Sequence, residues 1–582
     1  MGKTTRPGVG EEFIARIRTH LKRIYPDRMA EATEAVSRVC RPIECGHRAE
    51  PWGERDVVLI TYGDQIRDDS GTPLAAFERW CGDERLQEAF STIHLLPFFP
   101  YSSDDGFSVI DYREVDPRIG TWDDVRRLGD SFDLMFDLVL NHVSQKSRWF
   151  QDYLAGVEPY VRWFIEASPD DDLSRVVRPR SLPLLTRFDT SRGPRYVWTT
   201  FSRDQIDLNY AEPSVLAEML DVLLYYVEQG ARIVRLDAIA FLWKEMGTSC
   251  LHLPQTHEVV KLMRTVLDAC APGTLLLTET NVPHEENISY FGDGDEAQIV
   301  YQFPLPPLLL DGFLRRDATV IRRWLAALPA PRPGTTFLNF TASHDGIGVR
   351  PLEGLVPAER IDWLVAEVRR RGGLVSTRRM AEGRDAPYEL NITYLDALRD
   401  LDAGSAAEAV RPFLASQGVM LALQGIPAVY FQALIGGPND VAGVESSGQP
   451  RRINRQKFTR SRLDQMLRDD TSVSQYVFDT YRRWLSIRRR LPAFHPDAAQ
   501  QILPVEPGEE ALLAWLRGDD ARRADQVLVA ANFGPRPLDL SRIASLAGGG
   551  WEWDHLAQTS VDGRRLELGP YQVAWYGRHR VE

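Results

Sequence analysis

The sequence predicts an α/β fold: a (β/α)8 TIM barrel with inserted loop subdomains and a C-terminal antiparallel β domain. Eight short apolar runs alternate with helical patterns along most of the 582 residues. Buried parallel strands read as continuous apolar runs, because helices cover the sheet. A doubly wound open sheet is the alternative, but no glycine-rich phosphate loop follows the first run.

The elements follow in order along the chain. Apolar residues recur at helical spacing over residues 11–25 and predict an amphipathic helix within an N-terminal helical extension, residues 1–50. The eight predicted strands are 57–62, 92–96, 134–140, 232–236, 274–278, 298–301, 336–340 and 427–431. After about residue 492, short strands split by turns predict the small β domain.

Two intervals between strands are too long for simple connections. They predict an inserted subdomain at 143–205, between the third strand and the third helix, and a long mobile loop region at 346–425 over the active site. The remaining boundaries place the catalytic barrel at 51–142 and 206–495 and the C-terminal β domain at 496–582.

Charge and cysteine content narrow the class of protein. Lys and Arg number 69 and Asp and Glu number 82, for a net charge of −13, which disfavours nucleic-acid and anionic-membrane partners. No run of about 18 apolar residues would span a membrane, and the first residues carry no apolar signal core. The chain has five cysteines, Cys40, Cys45, Cys81, Cys250 and Cys270. This odd number, with spacings that match no zinc site, fits a reducing, cytoplasmic compartment.

Three acidic residues stand at the carboxyl ends of predicted strands. Asp237 closes the fourth strand, Glu279 closes the fifth, and Asp345 follows the seventh. Parallel strand ends converge on one face of a barrel, so these carboxylates should form one cluster. Mutual repulsion makes one carboxyl keep its proton near neutral pH. This separation of roles is what glycoside cleavage requires.

Basic residues near these acids have predicted supporting roles. Arg235 lies two residues before Asp237, on the same side of the strand, and its charge should keep Asp237 ionised. His142 and His344 are candidates for hydrogen bonds to sugar hydroxyls, although each histidine alone is also compatible with a structural role.

Four segments in order resemble the signatures of the α-amylase family of glycoside hydrolases and transferases: DLVLNH, RIVRLDAIA, LLLTETN and FTASHD. The resemblance implies a retaining double displacement. By motif position, Asp237 is the nucleophile, Glu279 the general acid/base and Asp345 the stabiliser of the transition state. Retention implies that the first two carboxyls lie about 5–5.5 Å apart.

Further segments resemble the sucrose phosphorylase group of that family. In LLPFFPYSSDDGFSVIDY the resemblance implies that Asp104 grips the glucose hydroxyls and Phe107 stacks on the ring. VWTTFSRDQIDLN implies Phe201 as a second aromatic wall and Gln205 as a polar contact. RRINRQKF implies that Arg455 holds a glucose hydroxyl or Asp345.

Phosphorolysis brings a phosphate dianion into a site crowded with carboxylates, so the site must supply a cation. The resemblance assigns this role to Arg180 in VVRPRSLP and places Tyr388, in APYELN, on a second mobile loop. The alternative for Arg180 is a solvated loop arginine.

The chain departs from sucrose-specific members where these bind fructose. Ala386 and Glu389 replace an acidic residue and a glutamine, Asn281 replaces a histidine, and Phe241 replaces a tyrosine. The segment STRRMAEGRDAPYELNITYLDAL instead resembles glucosylglycerate phosphorylases. A glycerate carboxylate needs cationic partners, and the candidates, if they are not surface arginines, are Arg378, Arg379 and Arg384.

The expected activity is therefore phosphorolysis of 2-O-α-glucosylglycerate to α-glucose 1-phosphate. The alternatives are a sucrose or glucosylglycerol phosphorylase, or an α-glucosidase or transglucosidase of the same fold; a silent binding protein is disfavoured because all three acids are present. The partners are a small glucoside and phosphate, and the chain is expected as a monomer or homodimer. We expect no cofactor and no metal: Asn141 lies where some family members bind calcium, but no aspartate-rich loop completes a cage.

Overall fold

The computed structural model describes residues 10–44, 46, 48, 50–180, 182–379 and 385–581. At its centre, eight parallel strands close a barrel in which each strand pairs with its neighbours in sequence. The strands are β1 (Val58–Thr61), β2 (Thr92–Leu95), β3 (Asp133–Val139), β4 (Ala231–Asp237), β5 (Leu275–Thr278), β6 (Ile299–Tyr301), β7 (Thr336–Phe340) and β8 (Ile426–Tyr430). The predicted fold class is confirmed, and every strand end lies within one residue of its predicted position.

Helices surround the barrel and bury their apolar faces against it. Residues between the strands form the helices Pro73–Asp83, Trp122–Gly129, Pro213–Glu228, Pro254–Cys270, Leu305–Arg315 and Thr319–Ala327, and after β8 follow Arg460–Arg468 and Val473–Arg488. Several begin with proline in the first turn, where a missing N–H costs nothing. In the described part of the chain, no helix has both the length and the apolar character needed to cross a membrane.

Two helices precede the barrel, Glu11–Ile24 and Met29–Val39. The first buries Phe13, Ile17 and Leu21 against the barrel helix Pro254–Cys270. This apolar stripe explains why the extension forms part of the main core rather than a separate unit.

The insertion after β3 is closed by a short pair of antiparallel strands, His142–Ser144 and Gln205–Asp207. Between them lie the helix Arg148–Ala155 and the hairpin Leu185–Thr190/Gly193–Trp198. We call the strand pair His142–Ser144 and Gln205–Asp207 the collar. It brings the two ends of the insertion together, so that His142 and Gln205 stand beside each other at the barrel mouth.

The structure corrects the expectation of a long loop over residues 346–425. The helices Ala358–Arg370 and Arg411–Ala422 and a three-stranded sheet, Ile347–Gly348, Asp385–Asn391 and Leu374–Arg379, occupy half of this segment. The second helix is buried from Pro412 to Ala422, because most of its residues are apolar and it packs between the barrel and the C-terminal sheet.

The C-terminal domain is a six-stranded sheet with antiparallel pairing, in the spatial order Gln500–Ile502, Leu512–Arg517, Val527–Asn532, Val573–Gly577, Trp553–Asp554 and Thr559–Ser560. Its Trp575 donates from the indole N–H to the carbonyl oxygen of Gly418, in the buried helix, at 3.3 Å. The cysteines of the described residues are free thiols, and Cys45 lies outside the described residues.

Candidate active site

A cavity opens at the carboxyl ends of the barrel strands, where this fold keeps its chemistry. Most of the predicted site residues line it. They are Asp104, Phe107, His142, Arg180, Phe201, Gln205, Asp237, Glu279, Asn281, His344, Asp345, Tyr388 and Glu389. Chain positions nearly 300 residues apart thus meet in one cleft.

The nucleophile and acid/base candidates come from neighbouring strands. Asp237 is the last residue of β4 and Glu279 directly follows β5, with Leu236 paired beside Thr278. The backbone N–H of Ala238 donates to Glu279 Oε2 at 3.2 Å. Ala238 adopts a left-handed conformation, with φ of 56°, an uncommon state for a residue with a side chain.

Arg235 lies behind Asp237 in a buried network. Its Nη1 is 2.9 Å from Asp237 Oδ1 and also donates to Asp137. Asp137 in turn contacts His94 Nε2 at 2.6 Å. Arg235 is almost fully buried and does not line the cavity. It therefore sets the charge of Asp237 from the side away from substrate.

The two carboxyls together favour retention of a proton. Burial raises the pKa of both Asp237 and Glu279, and the charge of Glu279 raises the pKa of Asp237 further. The charge of Arg235 lowers the pKa of both carboxyls, and its guanidinium contacts Asp237 directly. This contact favours the negative charge on Asp237 and the proton on Glu279, the arrangement that a nucleophile beside a general acid requires.

Asp345 is held ionised by Arg451. Burial alone would raise the pKa of Asp345, but the nearby cations, with Arg451 first, outweigh burial and hold that pKa well below its usual range. Arg451 Nη1 is 2.6 Å from Asp345 Oδ1. The same guanidinium contacts both carboxylate oxygens of Glu389, at 3.0 and 2.5 Å. Its charge is thus shared between two acids of the cavity.

Aromatic and imidazole rings form the wall on the side of the cavity where the sequence predicts a bound glucose. Phe107 stacks on His344 with 4.7 Å between ring centroids, and burial lowers the pKa of His344 to about 3. His142 Nε2 is 2.9 Å from the Phe107 carbonyl oxygen, which a neutral ring protonated at that nitrogen satisfies as donor. Phe201 packs beside His142, and its ring also meets Phe241 edge-on.

Arg455 lies within ion-pair distance of Asp345, which is one of the two roles that the motif implies. It is fully buried and does not line the cavity. Its Nη1 donates to Asp105 at 2.9 Å and its Nε to the His344 carbonyl oxygen at 2.7 Å, whereas Asp104 and Asp345 each lie 3.7 Å away. Arg455 therefore supports the segment that presents Asp104 rather than contacting a sugar directly.

Arg378 is also placed outside the cavity lining. Its Nη2 donates to Glu353 at 2.7 Å, and its side chain is mostly buried in that pair. Arg378 is thus paired with Glu353 and does not line the cavity, whereas the sequence made it a candidate partner for the acceptor carboxylate. The side chain of Arg379 and the whole of Arg384 lie outside the described parts of the chain.

Two arginines that line the cavity were missed by sequence reasoning, Arg350 and Arg451. Arg451 is the first residue of the RRINRQKF segment, in which the resemblance points to Arg455 instead. Arg350 comes five residues after Asp345 and carries no motif of its own, so only the folded chain reveals it.

A lysine ammonium lies against Asn141, the residue that the family resemblance associates with calcium in some members. Lys244 Nζ donates to Asn141 Oδ1 at 2.6 Å and to the Phe241 carbonyl oxygen, and it lies 2.7 Å from Asp207 Oδ2. Asp207 is fully buried. A fixed positive charge therefore already sits among these oxygen atoms.

Comparison with known proteins agrees with this geometry. The model of the α-amylase catalytic domain matches residues 87–322. The chain is 47% identical to the glucosylglycerate phosphorylase of Allomeiothermus silvanus, over 97% of this chain and 98% of that protein. It is 51% identical to the glucosylglycerate phosphorylase of Spirochaeta thermophila, over 91% of each chain.

A solved structure with the same fold is the sucrose 6F-phosphate phosphorylase from Thermoanaerobacter thermosaccharolyticum. The TM-score is 0.71 at 26% identity, with 82% of this chain and 94% of that chain covered. The match to the family model and the similarity to these relatives show that this chain belongs to the α-amylase family, within the group that contains the sucrose phosphorylases.

Proposed function

We propose that this chain is a retaining glucosylglycerate phosphorylase, which converts 2-O-α-glucosylglycerate and inorganic phosphate into α-glucose 1-phosphate and glycerate. The observation that carries the proposal is the shared cavity, in which three carboxylates at strand ends face arginines on the loops above them. The relatives named glucosylglycerate phosphorylase, similar over nearly the whole chain, support the choice of substrate.

In the first step, Asp237 attacks the anomeric carbon while Glu279 donates its proton to the glycosidic oxygen. The C–O bond to glycerate breaks as the bond to Asp237 forms, and glycerate leaves with its hydroxyl restored. Positive charge develops on the sugar ring in the transition state. Asp345, kept ionised beside Arg451, stabilises that charge.

In the second step, phosphate takes the place of glycerate. Glu279, now a carboxylate, accepts a proton from the incoming phosphate, whose oxygen attacks the anomeric carbon and releases Asp237. Two inversions give net retention. Arginines supply the cations that a dianion needs beside ionised acids.

The reaction as written needs no metal and no organic cofactor; inorganic phosphate is a co-substrate. The free thiols support placing the enzyme in the reducing cytoplasm. Its partners are the small glucoside and phosphate, in a monomer or homodimer.

The test is product analysis with three donors, 2-O-α-glucosylglycerate, sucrose and glucosylglycerol, each with and without phosphate. We expect phosphate-dependent release of α-glucose 1-phosphate, fastest from glucosylglycerate, and loss of turnover by at least a thousandfold, on the order seen when catalytic nucleophiles are removed, in Asp237→Asn. Free glucose forming equally fast without phosphate would point to a hydrolase, and a preference for sucrose would reassign the acceptor.

A further inference from the structure

Arg350 is a cavity-lining arginine that has no carboxylate partner in the part of the chain that the structure describes. The arginines of that part that line the cavity are Arg180, Arg350 and Arg451. Arg451 already contacts Asp345 and Glu389. No acidic side chain of the described residues lies within 4.0 Å of the guanidinium of Arg350, and its buried Nε has no hydrogen-bond partner there.

The surroundings of Arg350 favour an anion. Glu353, a nearby acid on the same turn, is taken by Arg378 at 2.7 Å. Burial and the charge of Arg378 lower the pKa of Arg350 and outweigh the opposing charges of Glu353 and Glu286. An unpaired buried guanidinium N–H is costly unless a ligand satisfies it.

The backbone holds Arg350 in a fixed place on the acceptor side. Arg350 begins a short helical turn directly after Val349, whose N–H donates to the Tyr388 carbonyl oxygen at 3.1 Å. Two residues earlier, Gly348 pairs with Glu389 and lies against Asn281. Arg350, Asn281 and Tyr388 therefore belong to one wall of the cavity.

We infer that Arg350 is the specificity-determining residue that binds the carboxylate of the acceptor, an inference that rests on the proposed function. Its planar fork of N–H donors matches a carboxylate in two-point contact. Arg180 on the opposite insertion, also without an ion-pair partner among the described residues, then remains for phosphate. A neutral acceptor such as glycerol leaves Arg350 unpaired in the cavity.

The test compares glycerate with glycerol as acceptors for glucose from α-glucose 1-phosphate. In Arg350→Gln, we expect the ratio of kcat/KM for glycerate to that for glycerol to fall about 10- to 100-fold, as expected from loss of a hydrogen bond to a charged group. Arg350→Lys, which keeps the charge without the fork, should recover part of the ratio. Arg370→Gln, an exposed arginine paired with Glu367 on the nearby helix, is the matched control.

A second measurement separates this inference from the proposed function. Transfer of glucose from α-glucosyl fluoride to phosphate involves no glycerate, so Arg350→Gln should keep its KM for phosphate within about twofold. An unchanged acceptor ratio in Arg350→Gln, a raised KM for phosphate, or a shifted ratio in Arg378→Gln instead would each overturn the assignment of Arg350. Failure of the unmodified enzyme to form α-glucose 1-phosphate from the fluoride would overturn the proposed function itself.

Discussion

At the residue scale, the shared guanidinium of Arg451 sets the charge state of the cavity. It is 2.6 Å from Asp345 and in two-point contact with Glu389. The carboxylate that stabilises the transition state and an acidic residue of the acceptor side thus depend on one cation. Loss of one partner from a buried pair leaves an uncompensated charge.

Replacement of Arg451 should therefore change the pH dependence of the reaction. In the unmodified enzyme the pKa of Asp345 is depressed, so its useful ionised form is lost only as pH falls far below the usual carboxyl range. In Arg451→Gln that pKa rises, and Asp345 gains a proton at mildly acidic pH. We expect the acidic limb of kcat/KM to move upward and the maximum to fall at least tenfold, a loss of about 1.4 kcal/mol or more in transition-state stabilisation.

The measurement is a pH–rate profile from pH 4 to 9, with Arg370→Gln as control. An acidic limb at the same pH in Arg451→Gln and in the control would show that Arg451 does not govern the charge of Asp345.

The sequence predicted the acids of this cavity and the cation Arg235 beside Asp237, but it did not predict Arg350 and Arg451. Asp237, Glu279 and Asp345 stand at strand ends and inside recognisable segments, so their convergence follows from the barrel. Arg350 lies on an irregular turn whose direction depends on tertiary pairing with residues about 40 positions later. Arg378 was misplaced because position on a strand does not reveal that Glu353 will capture the side chain.

At the scale of elements, the strand Ile347–Gly348 joins two parts of the acceptor side. A Cβ at Gly348 would come within 2.5 Å of the side-chain amide of Asn281, closer than real Cβ contacts. Glycine at this position therefore lets Asn281 pack directly on the strand.

Gly348→Ala should displace Asn281 and impair the acceptor side more than the glucose side. We expect kcat/KM for glycerate to fall about tenfold, because a small misplacement near reacting groups can cost as much as a hundredfold. Transfer from α-glucosyl fluoride to phosphate, measured in parallel, should change less.

The matched control is Gly82→Ala, since Gly82 is helical and a Cβ there meets no atom within 4 Å. This variant should keep full activity and gain slightly in stability. Equal losses in both reactions of Gly348→Ala would argue for general damage instead of a local shift of Asn281.

Strand positions followed from the sequence because each barrel strand is a short, mostly apolar run that is buried on both faces. The helix Arg411–Ala422 could not be predicted because it shows no amphipathic period. Its surroundings, the barrel and the C-terminal sheet, are what make such a helix stable.

At the scale of the whole molecule, a net charge of −13 coexists with an enzyme site that must admit anions. Buried cations offset the negative charge at the places where acidic side chains would otherwise repel one another. Lys244, 4% exposed, does so at the base of the insertion, where it neutralises Asp207.

This lysine predicts that stability does not depend on calcium. We expect the same thermal midpoint with and without a chelator. Lys244→Met should lower the stability by about 3–5 kcal/mol, because it leaves a buried carboxylate unpaired, and removal of that charge in the double variant Lys244→Met/Asp207→Asn should restore part of the loss.

Lys22→Met, at an exposed position of the first helix, is the control and should change the midpoint little. Calorimetry of the four proteins decides the matter: a chelator-induced drop in the unmodified enzyme would mean that a metal, and not Lys244 alone, supports the insertion.

The collar described above has a consequence for how such enzymes diversify. Because His142–Ser144 and Gln205–Asp207 pair with each other, both ends of the stretch between them are fixed at the barrel mouth. Farther out, this stretch contacts the segment after β4, where the N–H of Val177 donates to the Ser249 carbonyl oxygen at 2.9 Å. Lengthening, shortening or exchanging that stretch, which carries Arg180, would leave the sugar-facing residues at its base undisturbed. Natural variation and directed evolution can thus change how the enzyme binds the incoming nucleophile, while the residues that bind glucose stay the same.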